Sequence, residues 1–161
     1  MKKGFTLVEV IIYIALFSTL IGGSFITAYQ LFDGSNKLNV KNTTQDEGLF
    51  IMRKLGWALS NVNPTASITP SSVSSPTLTA TKYDGNQINI KLTGTKIEMK
   101  ESLGPNVFLP LNTDNVMVKT SSLNFQYISP FGSGPFGITA SFIITKDGVD
   151  FPFSITKYIR K

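Results

Sequence analysis

The chain has 161 residues, with 15 Lys and Arg against 10 Asp and Glu, no histidine and no cysteine, for a formal charge of +5 and a pI near 9.5. Without cysteine there is no disulfide or thiolate metal site, and without histidine the Cys–His and Ser–His nucleophilic arrangements are excluded, leaving only carboxylates to hold a zinc ion. This length suits one membrane helix and one small domain, over which the positive charge is spread thinly.

Lys2, Lys3 and Gly4 stand directly before a long apolar run whose one acid is Glu9. From Val10 through Phe32 no residue is charged, and a helix of that length is about 35 Å long, enough to cross a hydrocarbon core of roughly 30 Å. The run from Phe5 to Phe32 reads as helix despite its β-branched residues, because in lipid only a helix satisfies every backbone group within one segment. Glu9 then sits at or just inside the membrane edge, where an ionisable group is costly unless paired and points by default to function. Gly22 and Gly23 weaken the helix locally.

The string Lys3-Gly4-Phe5-Thr6-Leu7-Val8-Glu9 resembles the processing site of type IV pilins and pseudopilins. The resemblance covers the leader and first helix only. It implies that residues 1–4 are a leader cut off after Gly4, that Phe5 becomes an N-methylated mature N-terminus, and that Glu9 is the acid needed for assembly. By the same resemblance Glu9 pairs with the Phe5 amine of a neighbouring subunit. The partners implied are a prepilin peptidase and N-methyltransferase, other pilin or pseudopilin subunits, an inner-membrane assembly platform and the membrane. Many pilins carry a proline in this helix and a C-terminal disulfide, and this chain has neither.

The chemistry is consistent with that resemblance. Gly4 offers no side chain to obstruct a protease, and Lys2 and Lys3 hold their end in the cytoplasm by the positive-inside preference, with only Asp33, Lys37 and Lys41 closely following the apolar run. The domain beyond is then expected outside the cytoplasm, tethered to the inner membrane and later part of a periplasmic or cell-surface filament. Cleavage exposes an α-amine that is mostly protonated at neutral pH and can pair with a carboxylate. One buried polar pair among many apolar helices would set axial register, since each wrong offset leaves a charge unpaired. A secretory signal peptide cut near Gly22-Gly23-Ser24 is the alternative, but its apolar region is usually shorter and lacks an internal acid. A plain anchor needs neither Gly4 nor Glu9.

Asp33-Gly34-Ser35 reads as a bend or a tolerated polar turn of helix. From there to Val62 the pattern is an amphipathic helix, with Phe50, Ile51, Leu55, Ala58, Leu59 and Val62 recurring at helical spacing and Trp57 as a packing anchor. Asn63-Pro64 ends it. Residues 63–77, rich in Ser, Thr and Pro, read as an extended surface loop. Strand patterns follow at Leu78–Tyr83, Gln87–Leu92, Lys96–Glu101, Val116–Lys119, Leu123–Ile128, Ile138–Thr145 and Val149–Tyr158, with turn chemistry at Asp84-Gly85-Asn86, Thr93-Gly94-Thr95 and Asp147-Gly148. Pro152 marks the last strand as an edge or late-pairing one. Phe131 and Phe136 read as tucked beneath a glycine-rich turn, with a contact loop as the alternative. Asp84-Gly85-Asn86 resembles a scrap of a calcium loop, but a β-turn explains it fully.

These pieces make an α+β chain in which a long N-terminal helix, half membrane-embedded and half amphipathic, packs on a small antiparallel sheet. That layout is also the pilin fold. The division expected is a leader over 1–4, a transmembrane and assembly helix over 5–32 and a globular domain over 33–161, with its helix at 33–62, loop at 63–77 and sheet at 78–161. The general layout is similar to J-type minor pseudopilins. The expected function is structural, a minor subunit of a type II secretion pseudopilus or type IV pilus, with no catalysis, cofactor or metal site. Two rivals remain. A competence pseudopilin aiding DNA uptake would use Lys91, Lys96 and Lys100 as nucleic-acid contacts, although such lysines are more often a solvated sheet face. A membrane-anchored binding protein or enzyme would need a convergent polar pocket, which the spacing of Glu98, Glu101, Asp114, Asp147 and Asp150 does not announce.

Overall fold

The structure, a computed structural model, describes residues 6–71, 74–132 and 134–159. It shows one long N-terminal helix and antiparallel sheets, the α+β, pilin-like architecture expected. Two compact units divide the chain, Met1–Lys41 and Asn42–Lys161.

Helix α1 runs from Leu7 to Ala58 without interruption. Neither Gly22-Gly23 nor Asp33-Gly34-Ser35 breaks it. In the first unit Asp33 and Lys37 pair at 2.7 Å one turn apart, with the acid on the N-terminal side, the favourable orientation for such a pair. The hydrogen bond and charge of Asp33 raise the Lys37 pKa, so this polar turn is satisfied within the helix.

In the second unit α1 buries one stripe: Thr44, Gly48, Ile51, Leu55 and Ala58. Their three- and four-residue spacing is that of one helix face. Phe50 and Trp57 lie off that stripe and are exposed, so the expected packing role of Trp57 is corrected. Its ring instead carries the ammonium of the nearly buried Lys82, 3.6 Å from the ring centroid. The last turn of α1 has no basic residue of its own, and Lys82 supplies a cation beside that end of the helix. The helix stops at Ala58, a turn before Val62, where Ser60 N–H bonds Trp57 O at 3.0 Å and Asn61 takes a left-handed φ of 55°. Asparagine tolerates that conformation better than most residues, which is why the helix closes before Pro64 is reached.

The strands form two antiparallel sheets, not the single one expected. The first has the order β1 (Ile68–Thr69), β2 (Leu78–Thr81), β3 (Gln87–Thr93), β4 (Lys96–Glu101) and β5 (Leu109–Pro110). In the second, β8 (Phe136–Lys146) is flanked on one side by β6 (Met117–Val118) and β7 (Asn124–Ile128), and on the other by β9 (Val149–Ile159). The residues lying between Asn63 and Thr77 thus contribute a short strand as well as a loop. Alternation in β3 buries Ile88 and Ile90, and β8 buries Ile138, Ala140, Phe142 and Ile144. With Ile51, Leu55 and Ala58 of the helix and Leu59 just after it these form one core.

Two predicted turns behave as their sequences require. Gly94 and Gly148 have φ of 60° and 76°, values that glycine adopts without steric cost. Asp84-Gly85-Asn86 is a turn closed by Asp84 Oδ1, which accepts from Asn86 N–H at 2.9 Å. Tyr83 belongs to that turn and not to β2. Phe136 is buried and stacks on Tyr127 with centroids 5.4 Å apart, whereas Phe131 is wholly exposed. The tucked reading therefore holds for one phenylalanine and fails for the other.

Pro152 pairs with Ile143. The Ile143 N–H is bonded to Ser122 Oγ and its C=O to Lys119 N–H, so both groups point away from β9. The pair is a non-hydrogen-bonded one, and the missing donor of Pro152 falls on the outer side of β9, where no ladder bond to β8 is lost.

Asn112 joins the two sheets. It is buried, its Oδ1 accepts from Ile97 N–H at 2.9 Å, and its Nδ2 donates to the carbonyls of Thr95, Thr113 and Val116 at 3.1–3.3 Å. An Asn112→Asp change faces three carbonyls with a carboxylate and is expected to cost about 3 kcal/mol or more. Because protonation restores a donor, the native state would bind the extra proton and the loss should shrink as pH falls. Urea unfolding of wild type and variant at two pH values checks both the size and the sign; a pH-independent loss would count against the carbonyl contacts.

Candidate functional site

The described part of the N-terminal segment begins at Thr6, so Lys2, Lys3, Gly4 and Phe5 lie outside the described residues. Thr6 caps the helix: its Oγ1 accepts from Glu9 N–H at 3.3 Å and its C=O from Val10 N–H at 3.2 Å. Such a residue satisfies donors that the first turn otherwise leaves free. Glu9 therefore falls in the first turn, at the positive end of the helix dipole. Tyr13, one turn further on the same face, points its hydroxyl at Glu9 Oε1, 3.4 Å away.

The serine and threonine hydroxyls further along this stretch turn inward on the helix. Ser18, Thr19, Ser24 and Thr27 donate to the carbonyls of Ile14, Leu16, Leu20 and Gly23 at 2.7–2.9 Å. They leave an apolar outer surface, on which Leu7, Ile11, Ile14, Phe17, Leu20, Phe25 and Phe32 are exposed. The helix is long and apolar enough to cross a membrane, with a mean hydropathy of 2.0 over its most apolar window. Glu9 and the run after it were legible in the sequence. Thr6 as cap and Tyr13 as a reaching hydroxyl were not singled out, although the one-turn spacing of Glu9 and Tyr13 was available as a signal.

Lys91, Lys96 and Lys100 share the outward face of the first sheet, since Lys91 is opposite Glu98, Lys100 opposite Asn89 and Lys96 opposite Thr93. Their charges are already engaged. Lys91 lies 3.8 Å from Glu98 and 4.1 Å from the Phe108 centroid, and Lys100 is 5.6 Å from the same ring. Lys96 reaches Asp114 at 2.5 Å and Asn112 O at 3.3 Å. The Lys96 hydrogen bond and charge lower the Asp114 pKa. Lys82, over Trp57, stands apart from this group.

The scattered acids do not converge. Glu98 accepts from Thr93, Glu101 from Asn86, and Asp150 from Lys119 and Thr145. The Lys119 and Thr145 hydrogen bonds lower the Asp150 pKa, helped by the Lys119 charge. Asp147 occupies the β8–β9 turn with a φ of 50°. Each has a local structural task, and Glu47 likewise ties α1 to the loop before β6 by accepting from Thr113 Oγ1 at 2.6 Å.

Residues 1–25 match the family model described as the prokaryotic N-terminal methylation motif. No curated protein and no solved structure matches the chain. The matched stretch ends inside the apolar helix and distinguishes no subtype, so it does not reach the features that resembled J-type pseudopilins. The chain therefore carries, over its first 25 residues, the prokaryotic N-terminal methylation motif, the same stretch on which its resemblance to type IV pilins and pseudopilins rests.

Proposed function

We propose that this chain is a minor pilin or pseudopilin, a structural subunit of a type II secretion pseudopilus or type IV pilus. The observation that carries the reading is a single acid, Glu9, in the first turn of an uninterrupted apolar helix inside the matched methylation motif. A peptidase would cut between Gly4 and Phe5, a methyltransferase would modify the new amine, and the helix would hold the subunit in the inner membrane until assembly. Lys2 and Lys3 favour a cytoplasmic N-terminus, with the α+β domain on the far side. In the filament Glu9 would pair with the Phe5 amine of a neighbour. The engaged lysines of the first sheet give no specific support to the DNA-uptake alternative.

Intact mass measurement of the membrane-extracted protein tests the processing. A mature chain beginning at methylated Phe5 is expected in cells with the peptidase, and the uncut chain in cells without it. A chain still beginning at Met1 in both, or one beginning near Ser24, would overturn the proposal. Gly4→Leu should abolish the cut, because a bulky side chain next to the scissile bond obstructs the peptidase.

A further inference from the structure

We propose that Tyr13 is a positioning residue for Glu9, its hydroxyl donating to the carboxylate while the subunit stands alone in the membrane. Glu9 is the one acid of the apolar segment, and an ionised carboxylate near lipid needs a donor. Among the described side chains Tyr13 provides one, at 3.4 Å from Oε1. The hydroxyls of Ser18, Thr19, Ser24 and Thr27 are committed to backbone carbonyls of their own helix, and Tyr29 lies more than four helical turns from Glu9. One-turn spacing places the two residues on the same face for as long as the helix persists. A tyrosine suits the task, because its ring is at home among acyl chains near the headgroups while its hydroxyl serves a polar neighbour.

The contact is intramolecular and exists before any neighbour arrives. It lowers the cost of an unassembled subunit and leaves the carboxylate oxygens available to a cationic partner. Here the inference rests on the assembly reading above: when the neighbour's amine takes Glu9, the phenol is released. A hydrogen bond to an ionised group is the stronger kind, yet weaker than a pair of opposite charges held together away from water, so the exchange runs toward the filament.

The test is a double-mutant cycle on the full chain in cells that contain the peptidase but lack the assembly ATPase, reading the amount of processed subunit in the membrane. Tyr13→Phe makes the helix more apolar, so a merely hydrophobic role predicts an unchanged or higher level. The proposal predicts a several-fold fall in the Glu9 background and no fall when Tyr13→Phe is added to Glu9→Gln. Wild-type levels for Tyr13→Phe, or an equal fall in both backgrounds, would overturn it. Because the cells do not assemble filaments, this result is independent of the filament reading. If Glu9→Gln subunits prove fully competent for assembly elsewhere, the assembly reading falls and the Tyr13 coupling still stands or fails by the cycle.

Discussion

Glu9→Gln is expected to leave membrane insertion and cleavage largely intact while reducing recovery in sheared filaments at least about tenfold. A neutral amide is no harder to insert than a carboxylate, so the first two steps have no reason to fail. The third loses a charge partner. Breaking one side of a buried pair strands the other charge, at about 3–5 kcal/mol, and each wrong axial offset then resembles the right one more closely. The measurement compares processed subunit in membranes with subunit in filaments for wild type and variant. Equal recovery would sink the pairing, and loss of cleavage would move the role of Glu9 to the peptidase. A plain membrane anchor predicts no change in either quantity.

Gly48→Ala is expected to destabilise the domain by about 2 kcal/mol, although alanine is the better helix former by about 1 kcal/mol. The reason is Phe153 of β9, whose ring lies on the helix at this position. A Cβ built on Gly48 would fall against Cζ and Cε1 of that ring and 2.6 Å from Cε2. The ring cannot retreat freely, since it stacks on Phe142 with centroids 5.4 Å apart. The sign should reverse when the ring is removed: in a Phe153→Ala background the same Gly48→Ala change should stabilise, because only the helix-propensity term remains. Thermal unfolding of the four full-length proteins in detergent, followed by near-ultraviolet circular dichroism, gives both signs. A destabilisation that persists without Phe153 would mean that Gly48 is needed for another reason.

The membrane segment and its acid were legible because their signal is local: a long uncharged run and one carboxylate need no knowledge of the rest of the chain. The hairpin turns were legible for the same reason, since Gly94 and Gly148 mark where the backbone must take positive φ. What the sequence did not disclose depends on contacts between distant residues. Helical spacing placed Phe50 and Trp57 beside Ile51 and Leu55, but a broad apolar pattern does not say which edge of it meets the sheet. Nothing local separates β1 to β5 from β6 to β9, and the division into two sheets, bridged by Asn112, appears only in the pairing. Nothing local marks Gly48 either, because what constrains it is the ring of Phe153, a residue of a distant strand. At the site, Tyr13 blends into the apolar span because its aromatic ring belongs there, and only the contact with Glu9 gives its hydroxyl a task.

Pro152 has a consequence for solubility at high local density. The outer side of β9 is a long sheet edge with no strand beyond it among the described residues, and an exposed edge is a template for pairing with another chain. Subunits gathered in one membrane, or stacked along one fibre, would present such edges to each other at concentrations that dissolved proteins seldom reach. By removing an outward N–H near the start of that edge, the proline interrupts the row of donors that a stray strand would need, and it does so without loosening the hairpin that carries it. The edge is thereby kept from competing with the ordered contacts that a fibre of such subunits would use.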